Sequence, residues 1–179
     1  MGALIVNLFG GPGSGKSTGA AYIFSMLKMK GINAELVTEY VKDEVWEKNY
    51  TAIGYQPYVF GNQAFRIARC ADKVDVVVTD SPTLLSIVYN PDPVLAPGLN
   101  RLVLDSFNSY NNISYFLKRT KPYNESGRMQ TESEADSLSQ LILDTLNKYR
   151  IPCRSVTGDL GGYNQIVDEV IAKVEKIAR

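Results

Sequence analysis

Histidine is missing from the chain altogether, and cysteine occurs only as Cys70 and Cys153, far apart in the sequence. Without histidine there is no Ser-His-Asp or Cys-His catalytic pair and no zinc site with an imidazole ligand. The two cysteines have no metal-ligand spacing. Set in apolar patterns, they are expected to be small core residues kept as thiols in a reducing compartment. Excess charge is lacking too, since 19 Lys plus Arg oppose 19 Asp plus Glu. No whole-molecule field therefore draws in nucleic acid or an anionic membrane, and any grip on phosphate must come from a local cluster. No apolar run reaches the roughly 18 residues a membrane-spanning helix needs. The opening MGALIVNLFGG is short and lacks the basic start of a signal peptide, and Val6 stands where a myristoylation signal carries Ser or Thr. A soluble, cytoplasmic protein is expected.

What is present is an ordinary globular composition: 179 residues, 45% of them apolar, enough for one domain over 1–179 with a sizeable core. Strand-like and helix-like segments alternate, which predicts a parallel sheet covered on both faces, a three-layer αβα domain. Strands are predicted over 3–9, 33–38, 74–79, 113–117 and 153–156. Helices are predicted over 17–30, 40–48, 57–73, 81–89, 99–110, 131–149 and 163–179. Pro57 suits the first turn of its helix, and Thr131 with Glu134 forms a capping box. A proline-rich loop is predicted over 91–98.

Between the first strand and first helix, Gly10-Gly11-Pro12-Gly13-Ser14-Gly15-Lys16-Ser17-Thr18 satisfies the phosphate-loop pattern G-x-x-x-x-G-K-[ST]. Glycines let successive backbone N–H groups turn toward one anion, and the helix N-terminus adds positive dipole. Gly11, Pro12, Gly13, Ser14, Gly15, Lys16, Ser17 and Thr18 are thus candidates to hold ATP. Lys16 would reach its β and γ phosphates, and the Ser17 hydroxyl would ligate Mg²⁺.

The run Val74-Asp75-Val76-Val77-Val78-Thr79-Asp80 puts a carboxylate at the C-terminal end of a buried strand, the edge where parallel sheets hold ligands. Asp80 is the second candidate for Mg²⁺; otherwise it caps the helix begun by Ser81-Pro82. Glu39, just past the second strand, either takes the proton from an attacking hydroxyl or is an exposed glutamate favoured at a helix start. Lys118, Arg119, Lys121 and Arg128 lie in or beside a polar loop over about 118–130. Such a loop would close as a lid over transferred charge, with Arg119 and Arg128 ahead of the lysines, or would be an ordinary solvated basic loop. Tyr55, Gln63 and Arg66 fall in a tyrosine-rich stretch. Aromatic faces there would stack on a nucleobase and an amide would read its edge, while Phe60 and Phe65 are expected to be helix core.

These residues resemble the nucleoside and nucleotide kinase branch of P-loop proteins. More narrowly, the chain resembles phage-type P-loop kinases related to the ribosylnicotinamide kinase domain of bifunctional NAD-biosynthesis proteins. The carrying segments are GGPGSGKST at 10–18, Thr38-Glu39-Tyr40, Gly61-Asn62-Gln63, residues 74–82 and residues 121–130. The resemblance spans most of the chain and implies an α/β P-loop NTPase fold with a five-stranded parallel sheet in the order 2-3-1-4-5 and a lid. It also implies ATP as donor and, on Glu39, the carboxylate base of related nucleoside kinases. Those kinases often carry arginine directly after the strand-three acid. Ser81-Pro82 follows Asp80 here, which weighs against a deoxyribonucleoside kinase.

The expected activity is transfer of the ATP γ-phosphoryl group to a nucleoside- or nucleotide-like acceptor. Two alternatives stand beside it: a kinase acting on a hydroxymethylated pyrimidine base in phage DNA, which the zero net charge disfavours, and a P-loop ATPase without an acceptor. The expected partners are thus a nucleoside-like small molecule or a modified DNA base, with no membrane and with a homodimer left open.

Overall fold

Six consecutive buried residues, Leu4–Phe9, form the strand β1 at the centre of the molecule. The computed structural model describes residues 2–122 and 131–177. After β1 come α1 (Lys16–Met29), β2 (Ala34–Val37), α2 (Val41–Trp46), α3 (Tyr50–Gly54), α4 (Gln56–Ala68) and β3 (Val76–Thr79). The rest comprises α5 (Leu85–Val88), α6 (Ala96–Asn108), β4 (Asn111–Lys118), α7 (Glu132–Lys148), β5 (Arg154–Thr157) and α8 (Leu160–Ile177). The strands pair in the order β2-β3-β1-β4-β5, and every pairing is parallel. That is the order the resemblance implies.

The two-residue period of a strand decides which face each side chain covers. Leu4, Val6 and Leu8 of β1 pack with Ala20, Ile23 and Leu27 of α1 and with Ile166, Val167 and Val170 of α8. Phe9 and Phe116 face the other way, against Leu84, Leu85, Val103, Phe107 and Ile142. Ile5 and Val77 join Ile67 and Cys70 on that second face. Both faces are therefore dry, which is why β1 and β3 are buried throughout and apolar apart from Asn7 and Thr79, rather than alternating.

Several boundaries differ from expectation for visible reasons. The helix predicted over 40–48 stops at Trp46: Lys48 turns left-handed (φ 57°), and Asn49 caps the short α3, its side chain accepting from Ala52 N at 3.3 Å. The helix predicted from 81 starts only at Leu85: Ser81 N is taken by Thr79 Oγ1 at 3.2 Å, and a turn closed by Leu85 N on the Pro82 carbonyl at 2.9 Å precedes the helix. The proline-rich loop predicted over 91–98 instead contains the start of α6, with Pro97 in its first turn, where a missing N–H does no harm. Asp92 prepares that start, its carboxylate accepting from Val94 N and Leu95 N. Thr131 and Glu134 do form the capping box of α7, a device that contributes about 1 kcal/mol. Arg128 and most of the lid predicted over 118–130 lie outside the described residues.

Candidate functional site

The loop joining β1 to α1 reverses over the C-terminal edge of the sheet. Gly15 adopts a left-handed backbone (φ 91°), and a Cβ there would collide with the Tyr163 hydroxyl. Only glycine satisfies both conditions. Lys16 arches over the loop and donates from Nζ to the carbonyls of Gly10 at 2.6 Å and Gly11 at 3.1 Å. Its ammonium thus sits at the loop's mouth. Ser17 and Thr18 lie exposed on the first turn of α1, and Ser14 is buried with a hydroxyl that has no hydrogen-bond partner among the described residues.

Asp80 directly follows β3, which pairs with β1, so its carboxylate stands beside the loop. It is only 5% exposed, and its Oδ1 is buried without a hydrogen-bond partner among the described residues. An orphaned buried carboxylate oxygen at the end of β3 and a serine hydroxyl at the head of α1 are hard-oxygen donors, the type that suits Mg²⁺. Among the described residues no group of three or more His, Cys, Asp or Glu could hold a metal ion unaided. A magnesium ion on Asp80 and Ser17 would complete its shell with phosphate oxygens and water, the usual arrangement where few protein ligands are supplied.

Glu39 leaves β2 into the same cleft and is half-buried. Burial raises its carboxyl above the ordinary value; Lys16 opposes the rise, Asp80 adds to it, and Lys42 opposes it again. The four charges thus share one electrostatic neighbourhood. The cleft measures about 640 Å³ and runs from the phosphate loop, past Glu39 and Lys42, to a wall built by α3, α4 and the segment 81–91.

Gln63 and Arg66, expected to touch substrate, bond the backbone beside Glu39. Gln63 is 3% exposed; its Oε1 accepts from Tyr40 N at 2.8 Å and its Nε2 donates to the Thr38 carbonyl at 3.4 Å. Arg66 pairs with Asp43 at 2.5 Å and lies over the Tyr40 ring, 5.2 Å from its centroid. Tyr40 in turn donates to the buried carboxylate of Glu44, which also accepts from Asn49 at 2.7 Å. Gln63 lines the cleft with its amide already engaged, whereas Tyr55 is 54% exposed and stands apart from the cleft lining.

Arg119 follows β4 on the far side of the loop and pairs with Asp136 at 2.7 Å and Glu132 at 3.1 Å, both in the first turns of α7. Beside it, a second cavity of about 600 Å³ opens between Thr120, Lys121 and the β5–α8 turn, with Gly13, Gly15 and Thr18 as its floor. The structure therefore lines one cleft with Lys16, Ser17, Glu39 and Gln63, keeps Asp80 near enough to act on Glu39, and sets Arg119 across the loop.

Sequence reasoning missed the residues that brace this centre. Tyr163 lies within hydrogen-bond reach of the Gly15 and Gly158 carbonyls, at 3.0 and 3.1 Å, and its ring leaves no room for a side chain at Gly19. A Cβ on Gly158 would collide with the Ser14 carbonyl and lie 2.9 Å from that of Lys118. Asp159 caps α8, accepting from Gly162 N at 3.0 Å and from Thr157 Oγ1 at 2.8 Å, which holds its carboxyl below the ordinary value. The signal available was Thr157-Gly158-Asp159-Leu160-Gly161-Gly162, a strand end, a capping aspartate and three glycines in six residues. Gln56 was also missed. It lines the cleft at 5% exposure and donates to the Ile53 carbonyl at 3.1 Å, while its own carbonyl oxygen makes no hydrogen bond among the described residues.

Comparison with known proteins agrees with this architecture. The chain has the fold of a thymidylate kinase from Ehrlichia chaffeensis: TM-score 0.62 at 18% identity, covering 97% of this chain and 100% of that one. It is also similar to an APS kinase from Mycobacterium tuberculosis, with TM-score 0.42 at 20% identity, covering 82% of this chain and 99% of that one. No curated protein matches it. The AAA domain family matches residues 5–161, from the first strand through the turn that braces the phosphate loop, and the chain belongs to that family.

Proposed function

We propose that the protein is an ATP-dependent phosphotransferase, moving the γ-phosphoryl group of ATP to a nucleoside- or nucleotide-like acceptor. One observation carries the reading: Glu39, a half-buried carboxylate with a raised pKa, lines one cleft with Lys16 of the phosphate loop, and Asp80, with its orphaned buried oxygen, is near enough to push that pKa up. A pure nucleotide-binding loop needs no such base beside it. The fold shared with a thymidylate kinase supports the reading.

The loop N–H groups and the α1 N-terminus bind the triphosphate, and Lys16 leaves the Gly10 and Gly11 carbonyls for its β and γ oxygens. Asp80 and Ser17 would hold Mg²⁺, which would spread the phosphate charge. Glu39 accepts the acceptor's proton as its oxygen bonds the γ-phosphorus, while the bond from that phosphorus to the ADP oxygen breaks and ADP departs with the electron pair. Arg119, fixed by α7, flanks the donor, and Thr120 and Lys121 line the cavity beside it.

Membership of the AAA domain family favours a second reading, a P-loop ATPase without a small-molecule acceptor. One assay separates the two: Mg·ATP consumption by purified protein against pooled nucleosides and nucleotides, beside Lys16→Ala. Stimulation by a pool, abolished in the variant, supports the phosphotransferase; turnover indifferent to every pool supports the ATPase.

A further inference from the structure

The acceptor end of the cleft is lined chiefly by uncharged groups. Beyond the phosphate loop, the described lining comprises the apolar Val41, Val45, Ile53, Val59, Pro82 and Leu85, with the neutral polar side chains of Gln56, Gln63, Ser81, Ser86 and Tyr89. Its charged side chains are Lys16, Glu39 and Lys42. Lys16 belongs to the donor phosphates, and Lys42 lies near enough to Glu39 to offset its charge. The nearby Arg66 is engaged by Asp43. Arg119 and Lys121 are on the other flank of the loop.

A phosphate ester carries between one and two negative charges at neutral pH and must be met by cations when it leaves water. Seated in this cleft it would lie against aliphatic side chains and near the Glu39 carboxylate. A neutral body with hydroxyls meets different chemistry: aliphatic side chains to pack against and uncharged hydrogen-bonding groups among them. Gln56 suits the second case, being buried, in the wall, and holding a carbonyl oxygen available to an N–H donor. We infer that the acceptor is an uncharged, nucleoside-sized molecule presenting a hydroxyl to Glu39, and not a nucleotide that already bears a phosphate. This rests on the phosphotransferase reading and narrows it to one side of the choice between nucleoside and nucleotide.

The test uses the whole protein with Mg·ATP and matched pairs, each nucleoside beside its own 5′-monophosphate, with the phosphorylated product identified by mass. The expected result is transfer to at least one nucleoside, with kcat/KM exceeding that of its monophosphate by roughly a hundredfold, the scale set by burying an unpaired charge. Transfer to monophosphates with the nucleosides silent overturns the inference but leaves the phosphotransferase standing. Turnover that neither set stimulates removes both. Lys42→Gln supplies an independent check, because Lys42 is exposed and the substitution leaves the core intact. If Lys42 only offsets Glu39, the acid limb of the rate profile moves to higher pH and the acceptor KM stays within about twofold. A KM rise confined to monophosphates would instead make Lys42 a phosphate ligand and contradict the inference.

Discussion

Glu39 concentrates the tension at this centre, because the base proposed for it must be charged where burial favours the neutral form. Its raised value means that the folded chain holds this proton more tightly than the unfolded chain does. Stability is therefore lost as pH rises from the ordinary carboxylate value of 4.5 through the raised one, and the loss persists above it. Glu39→Gln should consequently raise the urea midpoint near pH 8, with the gain fading as pH falls below 4.5. The same variant should lower acceptor phosphorylation by about 10²–10⁴-fold, the usual weight of a general base. An equal stability change at both pH values would show that Glu39 is not the strained group. Gly158 sets a steric limit of another kind: an added methyl meets two backbone carbonyls, which cannot swing aside as a side-chain tip would. Gly158→Ala should cost about 1–3 kcal/mol and lower Tm by roughly 2–4 °C per kcal/mol. An unchanged thermal scan would mean the loop moves more freely than its packing indicates.

At the scale of elements, α4 fixes the exit of β2. Gln63 bonds the backbone on both sides of Glu39, and the Arg66–Asp43 pair ties α4 to α2. Gln63→Leu keeps the volume but leaves Tyr40 N and the Thr38 carbonyl without these partners. Its kcat should fall by about tenfold or more, since displacing a reacting group by an ångström costs on that order. KM for ATP should stay near its original value, because the donor loop is untouched. A raised acceptor KM with normal kcat would make Gln63 a direct reader of substrate instead. This interaction was not legible in the sequence, where an amide on a helix looks the same whether it faces a ligand or a neighbouring backbone. The phosphate loop was legible because its glycine spacing is dictated by one local task. The end of α2 and the start of α5 were not, since Lys48 turning left-handed and Thr79 holding Ser81 N each depend on how the chain crosses the sheet edge. Nor was Tyr163, 148 residues from the Gly15 carbonyl it reaches, because such a contact exists only once β5 has been laid beside β4.

Over the whole molecule, parallel strands ordered β2-β3-β1-β4-β5 bring the ends of β1, β2 and β3 to one edge, and with them Lys16, Glu39 and Asp80. Residues 80, 39 and 16 are distant in sequence but adjacent through the sheet, so the candidate centre is a product of topology rather than of any one motif. The two cysteines have no part in it. Burial pushes the Cys153 thiol up to about 12 and raises that of Cys70, in keeping with packing groups. No helix among the described residues is long and apolar enough to cross a membrane. A ligand that binds only the folded chain stabilises it by mass action, so Mg·ATP at a hundred times its Kd should add about 2.7 kcal/mol. Lys16→Ala should lose most of that gain in a thermal scan, and an equal gain in the variant would place nucleotide somewhere other than the loop.

The most direct measurement follows the γ-phosphoryl group itself, with labelled ATP, Mg²⁺ and the nucleoside pool, in the native protein, Lys16→Ala and Glu39→Gln. Label is expected on a nucleoside hydroxyl with the native protein, none with Lys16→Ala, and a trace with Glu39→Gln. Label released only as inorganic phosphate by the native protein, at a rate that Glu39→Gln leaves unchanged, would contradict the phosphotransferase reading.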